Sequence, residues 1–95
     1  MDRQTIFRAI DLERSRQEAK FGPVDTCANY DLPPGFKLCV LSEEVGEVAR
    51  LVCDDRHAKA GREAKQPTIW DFISELVQVA AVAVAWLESL PDPDA

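Results

Sequence analysis

The stretch that most constrains the fold lies near the C-terminus, where every residue between 76 and 87 except Gln78 is apolar. Thr68 and Asp71 resemble the two partners of a helix capping box, although Asp is less usual than Glu at the second position. We therefore predict one helix from about residue 68 to about residue 90. A helix that is apolar on every side is normally buried on every side. Two other short helices offer too little cover, so we predict that this helix forms a subunit interface.

Helical periodicity also dominates the first half of the chain. A first helix is predicted over about residues 2–20, and it ends at Gly22 and Pro23, which form a strong breaker pair. A second helix is predicted over about residues 36–53. Its apolar residues recur at spacings of three and four, which predicts a core-facing stripe. That stripe comprises Leu38, Leu41, Val45, Val48 and Val52.

The segments between these helices are predicted to be connections. Residues 22–35 contain two glycines and three prolines, whereas residues 54–66 are polar, contain Gly61 and carry a basic block. The second connection is expected to be mobile. No strand is predicted, so the fold class is all-α. We expect one helical domain over residues 1–95, with a short Pro/Asp tail over residues 91–95, as a bundle completed by oligomerisation.

Composition and charge narrow the classes of partner. Seventeen acidic residues against eleven basic ones give a net charge of −6. Duplex nucleic acid is an unfavourable partner for such a chain, because neutralising phosphates needs an excess of Lys and Arg. Anionic membrane surfaces are disfavoured for the same reason. The longest uninterrupted apolar run, nine residues at 79–87, is too short to cross a bilayer. We therefore expect neither nucleic acid nor membrane as a partner.

The three cysteines, Cys27, Cys39 and Cys53, include no CxxC pair, and the first residues do not resemble a secretory signal. An odd number of thiols without metal-type spacing favours a reducing compartment in which the cysteines are buried. We therefore predict a cytoplasmic protein with free, buried thiols.

Carboxylates are concentrated on the second predicted helix, in the sequence EEVGE at residues 43–47. At about 100° per residue, Glu44 and Glu47 lie about 60° apart, at the edge of the apolar surface. Like charges three or four residues apart cost a few tenths of a kcal/mol on an exposed helix, and more when partly buried. Nearby Arg50 supplies only one compensating charge, whereas a divalent cation would compensate the whole group.

The third predicted helix supplies a second polar stripe, formed by Asp71, Glu75 and Gln78. If this stripe faces the second helix, then Glu44, Glu47 and Glu75 converge with the carbonyl oxygen of Gln78. Hard oxygen ligands from two helices suit Mg²⁺ or Mn²⁺. The core of a helical bundle is a usual place for such a site. The two stripes therefore predict a divalent-cation site.

Each of these features also has a plainer interpretation. Acidic pairs on a helix more often form a solvated face, and Asp71 more often stabilises a helix N-terminus. Gln78 is as well suited to a hydrogen bond across an interface as to a metal. The presence of two polar stripes, each beside an apolar one, favours the metal site.

The ordered motifs resemble the MazG-like, all-α nucleoside triphosphate pyrophosphohydrolase superfamily. The family pattern is EExxE on one helix and ExxD on a later helix. Residues 43–47 match the first motif in full, and ELVQ at residues 75–78 corresponds to the second, after a separation of 27 residues that the family tolerates. The resemblance spans about residues 6–90. It also includes ER and RQ within residues 13–17, KFG at 20–22, LSEEVGEVA at 41–49 and ELVQVAA at 75–81.

This resemblance implies hydrolysis of a nucleoside triphosphate to the monophosphate and pyrophosphate. It also implies dependence on Mg²⁺ or Mn²⁺ and assembly into a homodimer or homotetramer. Carried over by position, it makes Glu44, Glu47, Glu75 and Gln78 the metal ligands, with Glu43 supporting the metal and its water. The implied catalytic carboxylates are therefore Glu43, Glu44, Glu47 and Glu75. Gln78 replaces the family's Asp, which removes one negative charge from the ligand set.

The implied substrate needs cations for its phosphates and a surface for its base. Lys20 lies in the KFG segment, and Arg16 lies one turn before it. The basic block, which includes Arg56 and Lys59, is suited to fold over a triphosphate, although such a loop is more often solvated surface. Phe21 or Trp70 would stack on a base, although each is more often a core residue. The candidate substrate-binding residues are Arg16, Lys20, Phe21, Arg62 and Lys65.

Two rival interpretations follow from the same residues. The first is a non-catalytic MazG-like regulatory or scaffold protein that binds nucleotide or metal, and Gln78 favours it. The second is a helical interaction module without a ligand, in which the third helix is a hydrophobic dimer interface. Stabilisation by Mg²⁺ or Mn²⁺ would separate the enzyme from this module.

Overall fold

A computed structural model describes residues 1–94, which form three α-helices and no strand. The helices are α1 (Arg3–Phe21), α2 (Pro34–Lys59) and α3 (Ile69–Glu88). The prediction of an all-α chain is therefore confirmed. The ends of α1 and α3 also lie within a few residues of the predicted ends.

The predicted start of α3 is confirmed in detail. The side chain of Thr68 accepts a hydrogen bond from the backbone N–H of Asp71, and the Asp71 carboxylate accepts one from the backbone N–H of Thr68 at 2.8 Å. These reciprocal bonds satisfy two N–H groups that a helix start otherwise leaves unpaired. Asp71 is thus engaged as a helix-terminal residue, as its plainer interpretation held.

Helix α2 is longer than predicted. It continues to Lys59, so Arg56 and Lys59 are helical, and the prediction of a mobile connection over residues 54–66 was wrong for its first half. Polarity alone does not end a helix, and the Asp55–Lys59 ion pair at 2.9 Å joins neighbouring turns. The chain leaves the helix only near Gly61, whose φ of +75° is one that glycine adopts without strain.

Helix α3 lies between the other two helices. It packs against both α1 and α2, whereas the backbones of α1 and α2 do not approach each other within residues 1–94. Lys37, near the start of α2, donates a hydrogen bond from Nζ to Ser89 Oγ at 2.6 Å, just after the end of α3. This bond shows that α2 and α3 are antiparallel. Helix α3 therefore forms the floor of the gap between α1 and α2.

The core of a single chain is small. Its buried apolar members are Cys27, Ala81, Val82 and Ala85, with Val40, Leu41 and Trp86 among the partly buried residues packed against it. Of the predicted core-facing stripe on α2, Leu38, Val45 and Val52 are about half exposed, so the prediction was wrong for these three residues. The face of α2 that packs inward is turned toward Val40 and Leu41, because α3 covers only one side of α2.

Helix α3 itself is only partly covered. Its buried face comprises Ala81, Val82 and Ala85, whereas Leu76 and Leu87 are more than half exposed. Burial on every side is therefore not achieved within one chain. The nine-residue apolar run belongs to a 20-residue helix that, by length and composition, is able to cross a membrane. The core helix of a soluble protein meets the same criterion.

The cysteines are free within residues 1–94, and only Cys27 is buried. Cys39 and Cys53 are exposed, so the prediction of buried thiols was wrong for these two. Both lie on α2, on the sides that α3 leaves uncovered. Burial raises the pKa of the Cys27 thiol, which keeps it protonated and unreactive at neutral pH.

Candidate metal and phosphate site

A cleft of about 350 Å³ lies between α1 and α2, with α3 as its floor. It exists because α1 and α2 both pack on α3 without meeting each other. The cleft brings together residues that are far apart in the sequence. Among the predicted site residues, those lining it are Arg16, Lys20, Phe21, Glu43, Glu44 and Gln78.

Two buried carboxylate oxygens lie in this region, one on Glu44, which lines the cleft, and one on Glu75, which lies near Glu44 but does not line the cleft. Within the described residues, Glu44 Oε2 and Glu75 Oε2 are both shielded from solvent and accept no hydrogen bond. A buried acceptor without a donor costs about 1–3 kcal/mol, and more when it carries charge. Such atoms are the ligands that a hard divalent cation prefers. Both oxygens are therefore of the chemical type that Mg²⁺ or Mn²⁺ binds.

The pKa of Glu44 reflects its burial and the carboxylates around it. Burial is the largest cause of a raised pKa for its carboxyl group, and the negative charges of Glu75 and Glu47 raise it further. Glu13 and Glu43 add smaller contributions in the same direction. Carboxylates from all three helices thus act on a single group, which is the arrangement that bound positive charge would relieve.

The predicted ligands do not all have the same environment. Glu75 is half-buried beside Glu44, whereas Glu47 is exposed on the outer side of α2, and neither residue lines the cleft. Among residues 1–94, no three His, Cys, Asp or Glu side chains are grouped closely enough to hold a metal ion as they stand. The carboxylates are therefore neighbours rather than a closed ligand set.

Gln78 faces the cleft from α3 and is half-buried. Its amide Nε2 donates a hydrogen bond to Ser74 Oγ at 3.4 Å, one turn earlier on the same helix. This bond uses the nitrogen end of the amide and leaves the carbonyl oxygen as the acceptor. The oxygen is the atom that would bind a cation.

Glu13 is a fifth carboxylate near the site, and no motif in the sequence marks it as a site residue. Its side chain is only 12% exposed, and both its oxygens accept hydrogen bonds from Arg16 Nε at 2.7 and 2.8 Å. These hydrogen bonds raise the pKa of Arg16, and the charge of Glu44 raises it slightly further. The spacing of three residues between Glu13 and Arg16 was the available signal, and only the packing of α1 brings the pair near Glu44.

Cations line the other wall of the cleft. Arg16 and Lys20 follow each other by one turn on α1 and are both exposed. Lys20 Nζ lies 5.1 Å from the centre of the Phe21 ring, a cation–π contact that leaves the ammonium hydrated. The cleft thus presents acidic groups from α2 opposite basic groups from α1.

The remaining predicted substrate contacts lie elsewhere in the chain. Arg62 lines a second cavity of about 350 Å³ at the end of α2, where its Nη1 is 3.3 Å from His57 Nδ1. Arg56, in the same cavity, is 12 residues from Glu44, or about 18 Å of helix rise. Lys65 lies on neither cavity wall. One chain therefore does not bring Arg62 and Lys65 to the carboxylates.

Phe21 and Trp70 were each offered as a surface for a base, although such residues more often belong to the core. Trp70 is 75% exposed, so the core interpretation is wrong for this residue within one chain. It also lies outside the cleft. Phe21 is 47% exposed and lines the cleft, with the Lys20 ammonium over one face of its ring.

Comparison of the chain with protein-family models, with curated proteins and with solved structures gave no match.

Proposed function

We propose that this chain is a metal-dependent nucleoside triphosphate pyrophosphohydrolase of the house-cleaning type, with a MazG-like bundle. The reaction would convert a (d)NTP and water into a (d)NMP and pyrophosphate. The observation that carries the proposal is the pair of buried, unpartnered oxygens, Glu44 Oε2 and Glu75 Oε2, beside a cleft with basic residues on its opposite wall. The EExxE and ELVQ motifs supply one of these carboxylates each.

The proposed roles follow the positions of the side chains. Glu44, Glu75 and the Gln78 carbonyl oxygen would hold Mg²⁺ or Mn²⁺, and Glu47 would complete the set by turning inward. Bound Mg²⁺ neutralises phosphate charge and lowers the pKa of a bound water. Glu43, on the cleft wall, would orient the water through hydrogen bonds. Most of the rate would come from positioning and charge neutralisation, as in phosphoryl transfer generally.

Arg16 and Lys20 would bind the phosphate oxygens from α1. Arg16 is already held by Glu13, so its guanidinium is oriented before the substrate arrives. Lys20 carries no carboxylate partner within residues 1–94 and would contribute a mobile point charge. Arg62 and Lys65 would reach a triphosphate only from a second copy of the chain, because in one copy they lie away from the cleft.

A homodimer or homotetramer is part of the proposal. The accessible surface of the single chain is 6988 Å². A compact monomer of 10.6 kDa exposes about 5,500 Å², so the excess is about 1,500 Å². A standard interface buries about 800 Å² on each partner. The exposed apolar residues of α2 and α3 are suited to such an interface. We propose the cytoplasm as the location of this assembly and no nucleic-acid or membrane partner.

A non-catalytic MazG-like regulatory or scaffold protein is the alternative, and Gln78 is the observation that favours it. An amide oxygen binds Mg²⁺ without neutralising its charge. The ligand set is therefore less negative than the one that the family pattern implies. In this alternative the cleft binds nucleotide or metal without hydrolysis.

The test is pyrophosphate release from a panel of NTPs and dNTPs with Mg²⁺ or Mn²⁺. Glu44→Gln is the test variant, and Glu63→Gln is the matched control, because Glu63 is an exposed acid away from the cleft. We expect release that Glu44→Gln reduces at least about 100-fold and Glu63→Gln leaves unchanged. No release with any nucleotide would contradict the enzyme. Gln78→Asp would then decide whether the missing carboxylate is the reason.

A further inference from the structure

The cleft has two chemically different ends. Glu43, Glu44 and Gln78 lie at one end, which we call the carboxylate end. The opposite end, which we call the loop end, is formed where α1 runs into the connection and α2 begins. The residues of the loop end are Phe21, Asp25, Thr26, Cys27 and Phe36.

The two ends are separated by a distance that suits a nucleotide. Phe36 and Glu44 lie on the same helix, eight residues apart, which corresponds to about 12 Å of rise. On α1, Arg16 and Phe21 both line the cleft and are five residues apart, or about 7.5 Å of helix rise. The cleft is thus comparable in length with an extended nucleoside triphosphate whose phosphates occupy the carboxylate end.

The loop end offers flat apolar surface to a base. Phe21 is 47% exposed and Phe36 is 48% exposed, on α1 and α2 respectively. Both rings line the cleft from opposite helices. Stacking of a base on an aromatic ring is worth about 1–3 kcal/mol and does not depend on which base is bound. The rings therefore explain base binding but not base selection.

Asp25 is the residue at the loop end that can discriminate between nucleobases. Its carboxylate lines the loop end, is exposed, and accepts no hydrogen bond from any other residue in the range 1–94. An ionised carboxylate accepts hydrogen bonds and donates none. It therefore attracts an exocyclic amino group and repels a carbonyl oxygen in the same position.

We propose that the loop end binds the nucleobase between Phe21 and Phe36, and that Asp25 selects bases with an exocyclic amino group over their keto counterparts. This inference rests on the proposed function, because it places the phosphates at the carboxylate end. The substrate class is then amino-bearing nucleotides such as CTP and ATP, in preference to UTP and ITP. A hydrogen bond to a charged group is worth about 1.5–3 kcal/mol, and the exposure of Asp25 reduces it, so about tenfold selection is expected.

The experiment compares the matched pairs CTP with UTP and ATP with ITP, as kcat/KM for pyrophosphate release with Mg²⁺. We expect about tenfold preference for the amino member of each pair. Asp25→Asn replaces an acceptor by an amide that also donates, so it should reduce the preference to less than about threefold. Asp31→Asn is the matched control, because Asp31 lies in the same connection but outside the cleft.

Phe36→Leu tests the stacking surface separately. It should raise the KM for all four nucleotides about tenfold without changing their order. Tripolyphosphate, which has no base, should inhibit the native chain and both loop-end variants with the same inhibition constant. A change in that constant would show that the variants disturb the whole cleft, and it would overturn the assignment of the loop end to the base.

The outcomes separate this inference from the proposed function. Hydrolysis with equal kcat/KM within each pair, or a preference that Asp25→Asn does not alter, would overturn the base assignment and leave the enzyme intact. If no nucleotide is hydrolysed, the proposed function fails. The equilibrium affinities for CTP and UTP with Mg²⁺ then decide the inference: equal affinities overturn it, and a CTP preference lost in Asp25→Asn supports it.

Discussion

Glu44 is destabilising as long as its charge is uncompensated. Its pKa is raised, chiefly by burial, above the ordinary value of 4.5. A carboxyl group with a raised pKa in the folded state contributes stability below its unfolded pKa, and that stability is lost as the pH rises through the folded pKa. At neutral pH without metal, the ionised side chain therefore opposes folding.

Glu44→Gln should consequently stabilise the metal-free chain at pH 7 by about 1 kcal/mol, because it removes the charge and keeps the shape. The difference from the native chain should shrink as the pH falls through the raised folded pKa and should be gone below about 4.5, where Glu44 is protonated in both states. Urea unfolding at pH 7 and pH 4 measures this. Glu63→Gln, on an exposed acid, should change neither value, and a loss of stability in Glu44→Gln at pH 7 would contradict the argument.

Bound metal should make the native chain more stable than Glu44→Gln. Millimolar Mg²⁺ or Mn²⁺ should raise the melting temperature of the native chain and of Glu63→Gln, because a ligand that binds only the folded state stabilises it. Glu44→Gln should show no such rise. Differential scanning fluorimetry with and without EDTA measures the shift. An equal rise in Glu44→Gln would place the binding somewhere other than this carboxylate.

Arg14 is the residue that ties α1 to the end of α3. It is buried, and its guanidinium donates to both oxygens of Glu88, at 3.0 and 2.9 Å, and to Glu18 at 2.6 Å. Hydrogen bonding from Arg14 lowers the pKa of Glu88 below its ordinary value of 4.5. The stability from this pair is therefore present above pH 4.5 and is lost as the pH falls through the folded pKa.

Glu88→Gln should destabilise the chain by about 1 kcal/mol at pH 7, a value reduced by the half-exposed position of Glu88. The deficit should disappear progressively as the pH falls below 4.5. Asp11→Asn, an exposed residue on α1, serves as the control and should remain within about 0.5 kcal/mol of the native chain. A deficit that persists unchanged at pH 3 would show that the carboxylate charge is not its source.

At the scale of the helix, the start of α3 depends on the cap that Thr68 forms. Thr68→Ala removes the side-chain acceptor for the Asp71 N–H and should destabilise the chain by about 1 kcal/mol. Thermal unfolding followed by circular dichroism measures this. Ser15→Ala, at an exposed position within α1, provides the comparison and should be neutral or slightly stabilising, since Ala favours a helix interior. Equal effects of the two substitutions would argue against the cap.

The helices also show which helix ends can be predicted from sequence patterns. The start of α3 was predictable because Thr68 and Asp71 are only three residues apart and interact through their own backbone. The end of α2 was not, because the polar residues 54–59 are compatible with both a helix and a loop. Their state depends on the Asp55–Lys59 pair and on the contact of Gln66 with Asp55.

At the scale of the whole molecule, the single chain is open. Its radius of gyration is 15.6 Å, whereas a compact chain of 95 residues has one of about 12 Å. Leu38, Val45 and Val52 recur every seven residues on α2 and stay about half exposed. Such a repeat lies along one face of a helix and is typical of a helix–helix contact. These features favour a second copy of the chain as the molecule that covers this apolar face of α2.

We therefore expect light scattering coupled to gel filtration to give twice or four times the chain mass of 10.6 kDa. The double variant Leu38→Gln with Val45→Gln should weaken the assembly at least about tenfold in dissociation constant, because it places two polar side chains in an apolar contact. Val24→Gln, which alters an exposed residue outside the helices, should not. A monomeric native chain at micromolar concentration would contradict this expectation.

The sequence by itself determined what depends on neighbours along the chain. Helical periodicity, breaker pairs and the Thr68 cap act within a few residues, so three helices and their order were predictable. The spacing within residues 43–47 likewise placed Glu44 and Glu47 on adjoining sides of one helix. Six of the ten predicted site residues were then found on one cleft.

Only the tertiary structure decided which side of each helix is covered. The contact of α3 with α2 partly buries Val40 and leaves Leu38 exposed, and the same contact leaves Glu44 partly buried and Glu47 exposed. The approach of α1 brings Glu13 to Glu44 and leaves Arg62 far away. Burial and proximity of this kind arise from contacts between residues distant in the sequence, and no local pattern records them.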